Sequence, residues 1–435
     1  MRRRYWWWIL LGIVLLAVGI WWWRRPAEMH VCASIAGECN HEDARWTPLG
    51  LCRWSWPAQP EGASTVTLYG WDGKPRWTVH GPAGICNYGW RELELGCSPD
   101  GHVVAITILE MGRVRVMSWR DGRPLGDCYV TLESGIYTVS VDVLLRVTNS
   151  GRLWLYHTFM PYCPIIAVDG VHVAFGRLSM PRPKSDPPVY DWELSSDGTT
   201  MAVRQDEANP VVRFCTLAVQ GEHVTVAHTR VCRDATFFSV SNGGLTWDLT
   251  GRLHDASGTI LNQTGWSSNL LSGTDGTVLE LTPKKDRTLD PHAAVACRFH
   301  HLVSGRQWEI RSSRPRVTAL CGTPDGKYVL TAEQGLPHTL RSLPASISAW
   351  PAVARFIQDQ RRCAQLVVYA GSGQPCAFYP IMPSKGRNGE YVCLINGTRY
   401  ELYDEYAISP DGRQVGLRGY QQQDNEKVGY VIIGR

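Results

Sequence analysis

One four-residue turn recurs along this chain and limits what it can fold into. Ser98-Pro99-Asp100-Gly101, Ser195-Ser196-Asp197-Gly198, Thr323-Pro324-Asp325-Gly326 and Ser409-Pro410-Asp411-Gly412 share a hydroxyl residue, an Asp-Gly corner and an apolar strand after it. Proline fixes φ early in such a turn, and glycine supplies the positive φ that reverses the chain. Gly273-Thr274-Asp275-Gly276 is a weaker member. A second turn joins later strands: Asp72-Gly73-Lys74-Pro75, Asp121-Gly122-Arg123-Pro124, Ser304-Gly305-Arg306-Gln307 and Ser372-Gly373-Gln374-Pro375.

Between these turns lie β-branched or alternating runs such as Val103 to Ile108 and Val114 to Trp119, the pattern of half-buried strands. The Asp-Gly corners are 97, 128 and 86 residues apart from Asp100 to Asp197 to Asp325 to Asp411. A four-stranded propeller blade takes about 40–50 residues, so the first two gaps hold two and three units. Weaker copies fill them near Val141 to Trp154, at Ser241-Asn242-Gly243-Gly244 and at Asp275. The last gap reads as one blade enlarged by a helical insertion at about 344–362 and a hairpin near Val392 to Leu402. The expectation is an all-β, seven-bladed β-propeller, with eight blades as the rival count. Thr65 to Tyr69 and Arg76 to His80 read as outer strands of a blade whose beginning is missing, and Gln414 to Arg418 and Val428 to Ile433 as inner strands of a blade cut short. A ring closed by sharing one sheet between the termini would leave no strand edge open.

The N-terminus constrains location. Arg2, Arg3 and Arg4 precede an apolar run from Trp6 to Trp23, and Arg24 and Arg25 close it. As a helix the run spans about 27 Å, close to the hydrocarbon thickness of a bilayer. Trp6, Trp7, Trp8, Trp21, Trp22 and Trp23 fall where indole rings sit at the headgroups. A cleaved signal peptide would need a small-residue site after the run, whereas three Trp and two Arg stand there, so the segment reads as a retained anchor. The division expected is a cytoplasmic tail (1–5), a transmembrane helix (6–23), a Cys-containing juxtamembrane stalk without regular structure (24–61) and the propeller (62–435). Location is then the plasma (inner) membrane, single-pass, with the propeller extracytoplasmic.

Cysteine use agrees. All 14 Cys follow the anchor and none forms a CxxC pair, which points to disulfides in an oxidising compartment, with buried free thiols as the alternative. The net charge is +4, of which the first 25 residues supply +5, leaving −1 for the body. That excludes an electrostatic footprint for nucleic acid.

The Ser-Pro-Asp-Gly turns, best in Ser98 to Arg123 and shorter in Thr323 to Ala332 and Ser409 to Leu417, resemble the WD40-like PD40 repeats of TolB-type β-propellers. The hairpins ending in Trp77 and Trp308 are similar to repeats of quinoprotein-type propellers and of an outer-membrane assembly propeller. The resemblance covers about residues 62–435. It implies a platform in the cell envelope that docks other proteins, and it implies no cofactor.

Motifs for chemistry are mostly missing. Ala370-Gly371-Ser372-Gly373-Gln374 lacks both outer glycines of a hydrolase elbow, and no H-E-x-x-H helix exists. His300 and His301 are adjacent on a strand and point to opposite faces. Val240 to Trp247 resembles the Asp-box of sialidase-type propellers but has Val240 and Asn242 at two of its positions. His30, Cys32, Cys39, His41 and Cys52 follow no common zinc spacing. No catalytic, cofactor-binding or metal residue is therefore expected.

The distinctive insertion is Ala345 to Arg362. Trp350, Val353, Phe356 and Ile357 are placed on one apolar helix face, with Arg355, Gln358, Gln360, Arg361 and Arg362 mostly on the other. Trp350, Arg355, Phe356, Arg361 and Arg362 are the candidate partner-docking residues. The expectation is a non-catalytic module that binds another envelope or extracellular protein. The rival is a glycan-processing hydrolase or lyase with its site in the central funnel, to be separated by what lines that funnel.

Overall fold

The structure, a computed structural model, describes residues 27–435 except 39–41, 58–61, 84–92, 111–112, 132–142, 158–161, 180–189, 196, 206–210, 240–243, 249, 251, 256, 262–265, 271–277, 284–294, 302–304, 342, 384–390, 396 and 422–423. The apolar run 6–23 and the turn at Asp275 lie outside this set. Among the described residues, no helix is long and apolar enough to cross a membrane.

The four Asp-Gly turns are built alike. In each, the leading hydroxyl donates to the Asp carboxylate (Ser98 to Asp100 and Ser195 to Asp197 at 2.6 Å, Thr323 to Asp325 and Ser409 to Asp411 at 2.7 Å). The same carboxylate oxygen accepts the N–H two residues on at 3.0 Å, from His102, Thr199, Lys327 and Arg413. Gly101, Gly198, Gly326 and Gly412 take φ of 80°, 73°, 65° and 68°. Burial alone would raise the carboxyl of Asp197, but hydrogen bonds from Ser195 and Thr199 outweigh it and hold the group below its usual range. The glycines serve a second purpose, because each turn seats on the preceding unit. A Cβ at Gly198 would strike the Trp154 indole, and one at Gly412 the Tyr328 ring. The second family of turns forms the hairpins from the third to the fourth strand of a unit, with Gly73, Gly122, Gly305 and Gly373 at φ between 68° and 80°.

Joined by these turns, the strands form short antiparallel meanders. After β1 (Ala27–Glu28) and β2 (His30–Glu38), one unit runs β3 (Glu42–Thr47), β4 (Gly50–Ser55), β5 (Ala63–Tyr69), β6 (Pro75–Ala83). The next is β7 (Leu93–Cys97), β8 (Val103–Glu110), β9 (Arg113–Arg120), β10 (Arg123–Thr131). Then come β11 (Val143–Val147), β12 (Leu153–His157), β13 (Tyr162–Asp169), β14 (His172–Ser179), and β15 (Tyr190–Leu194), β16 (Thr200–Gln205), β17 (Val211–Gln220), β18 (His223–Arg233). A single parallel pair, Phe175 with His223, joins these two. A small unit follows: β19 (Ala235–Ser239), β20 (Leu245–Asp248), β21 (Leu253–His254) and a bridge from His254 to Ile260. Next are β22 (Trp266–Leu270), β23 (Val278–Pro283), β24 (Val295–His301), β25 (Gln307–Ser312), and β26 (Arg316–Gly322), β27 (Tyr328–Gln334), β28 (Ala364–Ala370), β29 (Pro375–Pro383). β30 (Tyr391–Ile395) forms a hairpin with the first half of β31 (Thr398–Ile408). The last unit is the second half of β31, then β32 (Gln414–Gln421) and β33 (Asp424–Gly434), to which β2 adds as the fourth strand. The first strands neighbour one another, β31 beside β3, β3 beside β7 and β7 beside β11. Repeated four-stranded meanders with their first strands innermost are the architecture of a β-propeller.

The ends meet in one sheet. β2 pairs antiparallel with β33 from His30 opposite Gly434 to Glu38 opposite Lys427. Behind the pairing, Ile35, Ala44, Leu51 and Tyr430 form a buried cluster, with Trp46 stacked on Trp71 at 5.5 Å. The Tyr430 hydroxyl donates to buried Glu42 at 2.8 Å, and Arg53 reaches the Ala36 carbonyl at 2.6 Å. Gln414 donates to the Trp71 carbonyl at 2.9 Å.

Two expectations are corrected here. Residues 24–61, read as a loop, carry β1 to β4. Their hairpin turn, Thr47-Pro48-Leu49-Gly50, has Leu49 where the other turns carry Asp, and Thr47 accepts the Leu49 N–H at 3.2 Å. The strands Thr65 to Tyr69 and Arg76 to His80 therefore belong to a complete unit, and the outer strand shared with the C-terminal sheet comes from His30–Glu38. Second, the disulfides do not appear among the described residues. Eleven Cys form no disulfide, and of these Cys52, Cys215, Cys297, Cys321 and Cys393 are buried. Packed in the blade cores, they serve as small apolar residues. Cys39 and Cys86 lie outside the described set.

If the seam closes the ring, Tyr430→Phe leaves Glu42 buried without its hydroxyl donor and lowers unfolding free energy by about 1–3 kcal/mol. Chemical denaturation of the two proteins measures this, and equal midpoints would contradict it.

Candidate functional site

In an antiparallel four-stranded unit, the first and third turns open on one face of the ring. The second connection opens on the other. The link from β27 to β28 is such a second connection, and in it the chain inserts three helices, His338–Arg341, Ala345–Ser348 and Pro351–Arg362. The long helix forms because Pro351 occupies a first-turn position where no N–H is needed, no Gly or Pro interrupts it, and Arg361 and Arg362 face the negative end of its dipole. It stops at Cys363, whose extended backbone (φ −76°, ψ 137°) enters β28.

Arg314 fastens the insertion. Its buried guanidinium donates to the Gly335 carbonyl at 2.7 Å and to the Cys363 carbonyl at 3.4 Å, the two roots of the insertion. It also reaches the Gln360 side chain at 3.3 Å. Buried Glu333 compensates its charge while accepting the Tyr369 hydroxyl at 2.6 Å and the Gln365 amide at 3.2 Å. A helix tied in this way is a fixed part of the surface.

The face assigned to Trp350, Val353, Phe356 and Ile357 is split. Val353 and Ile357 turn toward the body with Gln360, whereas Trp350 is 63% and Phe356 51% exposed. Successive residues stand about 100° apart, so one narrow contact strip cannot bury both Phe356 and Ile357. Arg355 and Arg362 are exposed on the outer side. Arg361 alone of the candidate set lines a groove, in a stripe with Ala354 and Gln358.

That groove, of about 900 Å³, lies between the long helix and the ends of β26, β27 and β29. Leu336, Leu340, Leu343 and Ile357 supply its apolar lining, and Arg316 and Arg341 join Arg361 around it. Among the described residues, no carboxylate lines it. Arg314, Arg316, Leu336 and Arg341 were not legible as site residues. They meet only because β26, β27 and β28 pair, and no local periodicity marks them.

The inner strands test the rival funnel site. Asp43, Arg45, Glu94 and Arg146 do gather there, yet both acids are engaged between blades. Asp43 on β3 accepts the Leu95 N–H of β7 at 3.0 Å, and Glu94 on β7 accepts the Leu145 N–H of β11 at 2.7 Å. Burial pushes the Glu94 carboxyl up to about 7 against the lowering effects of the Leu145 N–H and of Arg45. β3, β7 and β11 present neither Tyr nor His. These carboxylates act as staples from blade to blade.

Other motifs fall into structural places. Asp100, Asp197, Asp325 and Asp411 cap their own turns. Of the Asp-box-like stretch, 240–243 lie outside the described residues, and Gly244 seats against Phe214. The His301 Nε2 lies 3.0 Å from the Pro324 carbonyl, while burial and then His301 hold His300 below its usual value. Among the described residues, no group of His, Cys, Asp or Glu is placed to hold a metal ion.

No protein-family model matches the chain, and no curated protein matches it. Among solved structures, the C-terminal WD40 domain of Sif2 aligns with a TM-score of 0.44 at 10% identity, covering 94% of this chain and 99% of that one. The WD40 domain of SCAP from fission yeast gives 0.39 at 7% identity, with 94% and 92% covered. The β-propeller domain of Cps50 (Swd1) from Myceliophteria thermophila gives 0.37 at 10% identity, with 94% and 99% covered. At these scores the likeness carries no argument, and the propeller assignment rests on the sheets themselves.

The raised Glu94 carboxyl has a pH signature. The folded state holds its proton at a higher pH than the unfolded state, so stability present at acid pH falls as pH rises from about 4.5 through about 7. The loss is on the order of 3 kcal/mol. Glu94→Gln, which still accepts the Leu145 N–H, flattens that slope and is the more stable protein at pH 8. Denaturation curves at pH 5 and pH 8 report it; parallel losses in both proteins would contradict it.

Proposed function

We propose that this chain is a membrane-anchored, extracytoplasmic β-propeller of eight blades that binds another envelope or extracellular protein and does no chemistry of its own. The eight-bladed count follows from giving β3 to β6 a blade to themselves and β2 to the last one. Anchoring rests on the Arg-flanked apolar run from Trp6 to Trp23. The observation that carries the binding role is the insertion. Arg314 holds it rigidly on the face of the second connections, where it exposes Trp350 and Phe356 and shapes an arginine-rimmed groove. Fixed aromatic residues and arginines on a scaffolded connection are the usual materials of protein recognition. That Asp43 and Glu94 are already bonded to backbone N–H groups speaks against these two inner-strand acids serving a funnel enzyme.

Two readouts from one strain test this. With a proximity-labelling enzyme fused at the C-terminus, replacing 336–362 by a short Gly/Ser linker removes the principal labelled partner, provided thermal melting shows the ring intact; an unchanged labelled set sinks the binding role of the insertion. In intact cells, exposed Cys32 reacts with a membrane-impermeant maleimide. Reaction only after permeabilisation sinks the orientation.

A further inference from the structure

The groove beside the insertion helix has a charge pattern that names its occupant. Arg316 at the start of β26, Arg341 in the first short helix and Arg361 in the long helix bring guanidinium groups from three elements to one concavity. Among the described residues, Arg316 and Arg361 have no carboxylate partner. The acids nearby are turned elsewhere. Glu333 is buried with Tyr369 and Gln365, and Asp359 stands about 160° around the helix from Arg361. Like charges gathered in a concave, partly apolar site focus a positive potential that a bound anion relieves.

The rest of the lining fixes the other half of the chemistry. Leu336, Leu340 and Leu343 offer aliphatic surface between the arginines, and Gln334 and Gln358 offer amides suited to peptide groups. A simple inorganic anion would leave that leucine surface and most of the 900 Å³ unused. A bilayer, being flat, would meet Phe356 and Arg355 on the outer side of the helix rather than the concave face that Arg316 and Arg361 border.

Resting on the reading of the insertion as the binding element, we propose that this groove binds an acidic peptide segment bearing aliphatic side chains. Carboxylates pair with Arg316 and Arg361, and aliphatic groups lie on Leu336, Leu340 and Leu343. Arg341 adds to the field that draws the segment in.

The test is selection of a random phage-displayed peptide library on the full chain in nanodiscs of neutral lipid. The expected winners are rich in Asp or Glu and in Leu or Ile. Their binding weakens with salt and falls about tenfold or more in Arg316→Gln/Arg361→Gln. Winners that are neutral or basic, or that bind the double variant equally, overturn the proposal. Because the variant's fold is a separate matter, a photo-cross-linkable copy of the best peptide is also mapped on the unaltered protein. Cross-links within 316 and 334–361 support the groove, and cross-links confined elsewhere overturn it. Phosphatidylserine vesicles that bind through the same two arginines while no acidic peptide does would assign the groove to lipid and overturn the peptide. Partner labelling that needs the insertion but ignores both arginines sinks this inference alone, whereas labelling that ignores the insertion sinks the reading beneath it.

Discussion

A ring of sheets is free of strand edges only if its last sheet is completed, and here His30–Glu38 completes it against Asp424–Gly434. Everything else is held in place by that pairing. An open ring would expose the backbone of β33 along its length and leave the Ile35, Ala44, Leu51 and Tyr430 cluster facing water. The seam is reinforced by polar contacts between residues hundreds of positions apart, Tyr430 with Glu42 and Gln414 with Trp71. Because both chain ends are spent on it, the stretch that follows the apolar N-terminal run is built into the body.

Within the ring, two recurrent devices join blade to blade. Outside the inner strands, three of the four Asp-Gly turns press a glycine against an aromatic side chain of the preceding unit, as Gly198 does on Trp154, while Gly101 seats on Thr47 and Leu49. At the inner strands, Asp43 and Glu94 reach across to the next backbone. The second device occupies Asp43 and Glu94 with backbone N–H groups of the next blade. The insertion that Arg314 clasps at both roots is a large departure from the repeat among the described residues.

Much of the frame was legible because it is local. The four Asp-Gly turns announce themselves through residues that bond within the same tetrapeptide, and the hairpin glycines at 73, 122, 305 and 373 occupy the positive φ that their sequences imply. The inner hairpin at Gly50, and with it a complete unit, is hidden because Leu49 stands where the other turns carry the marking aspartate. The insertion helix was visible by its own periodicity, but its orientation was not. Which of Phe356 and Ile357 is covered depends on β26 and β27, far away in sequence. Arg314 was invisible for the same reason, since its partners at 335, 360 and 363 are assembled by strand pairing alone.

Native-state hydrogen exchange of the full chain addresses the closure most directly. The account requires that the amides of His30–Glu38 facing the C-terminal strand exchange as slowly as those of Asp424–Gly434, and that both open in one cooperative step with the ring. Exchange of the N-terminal strand at the rate of an unstructured stalk, with the C-terminal strand still protected, would contradict it.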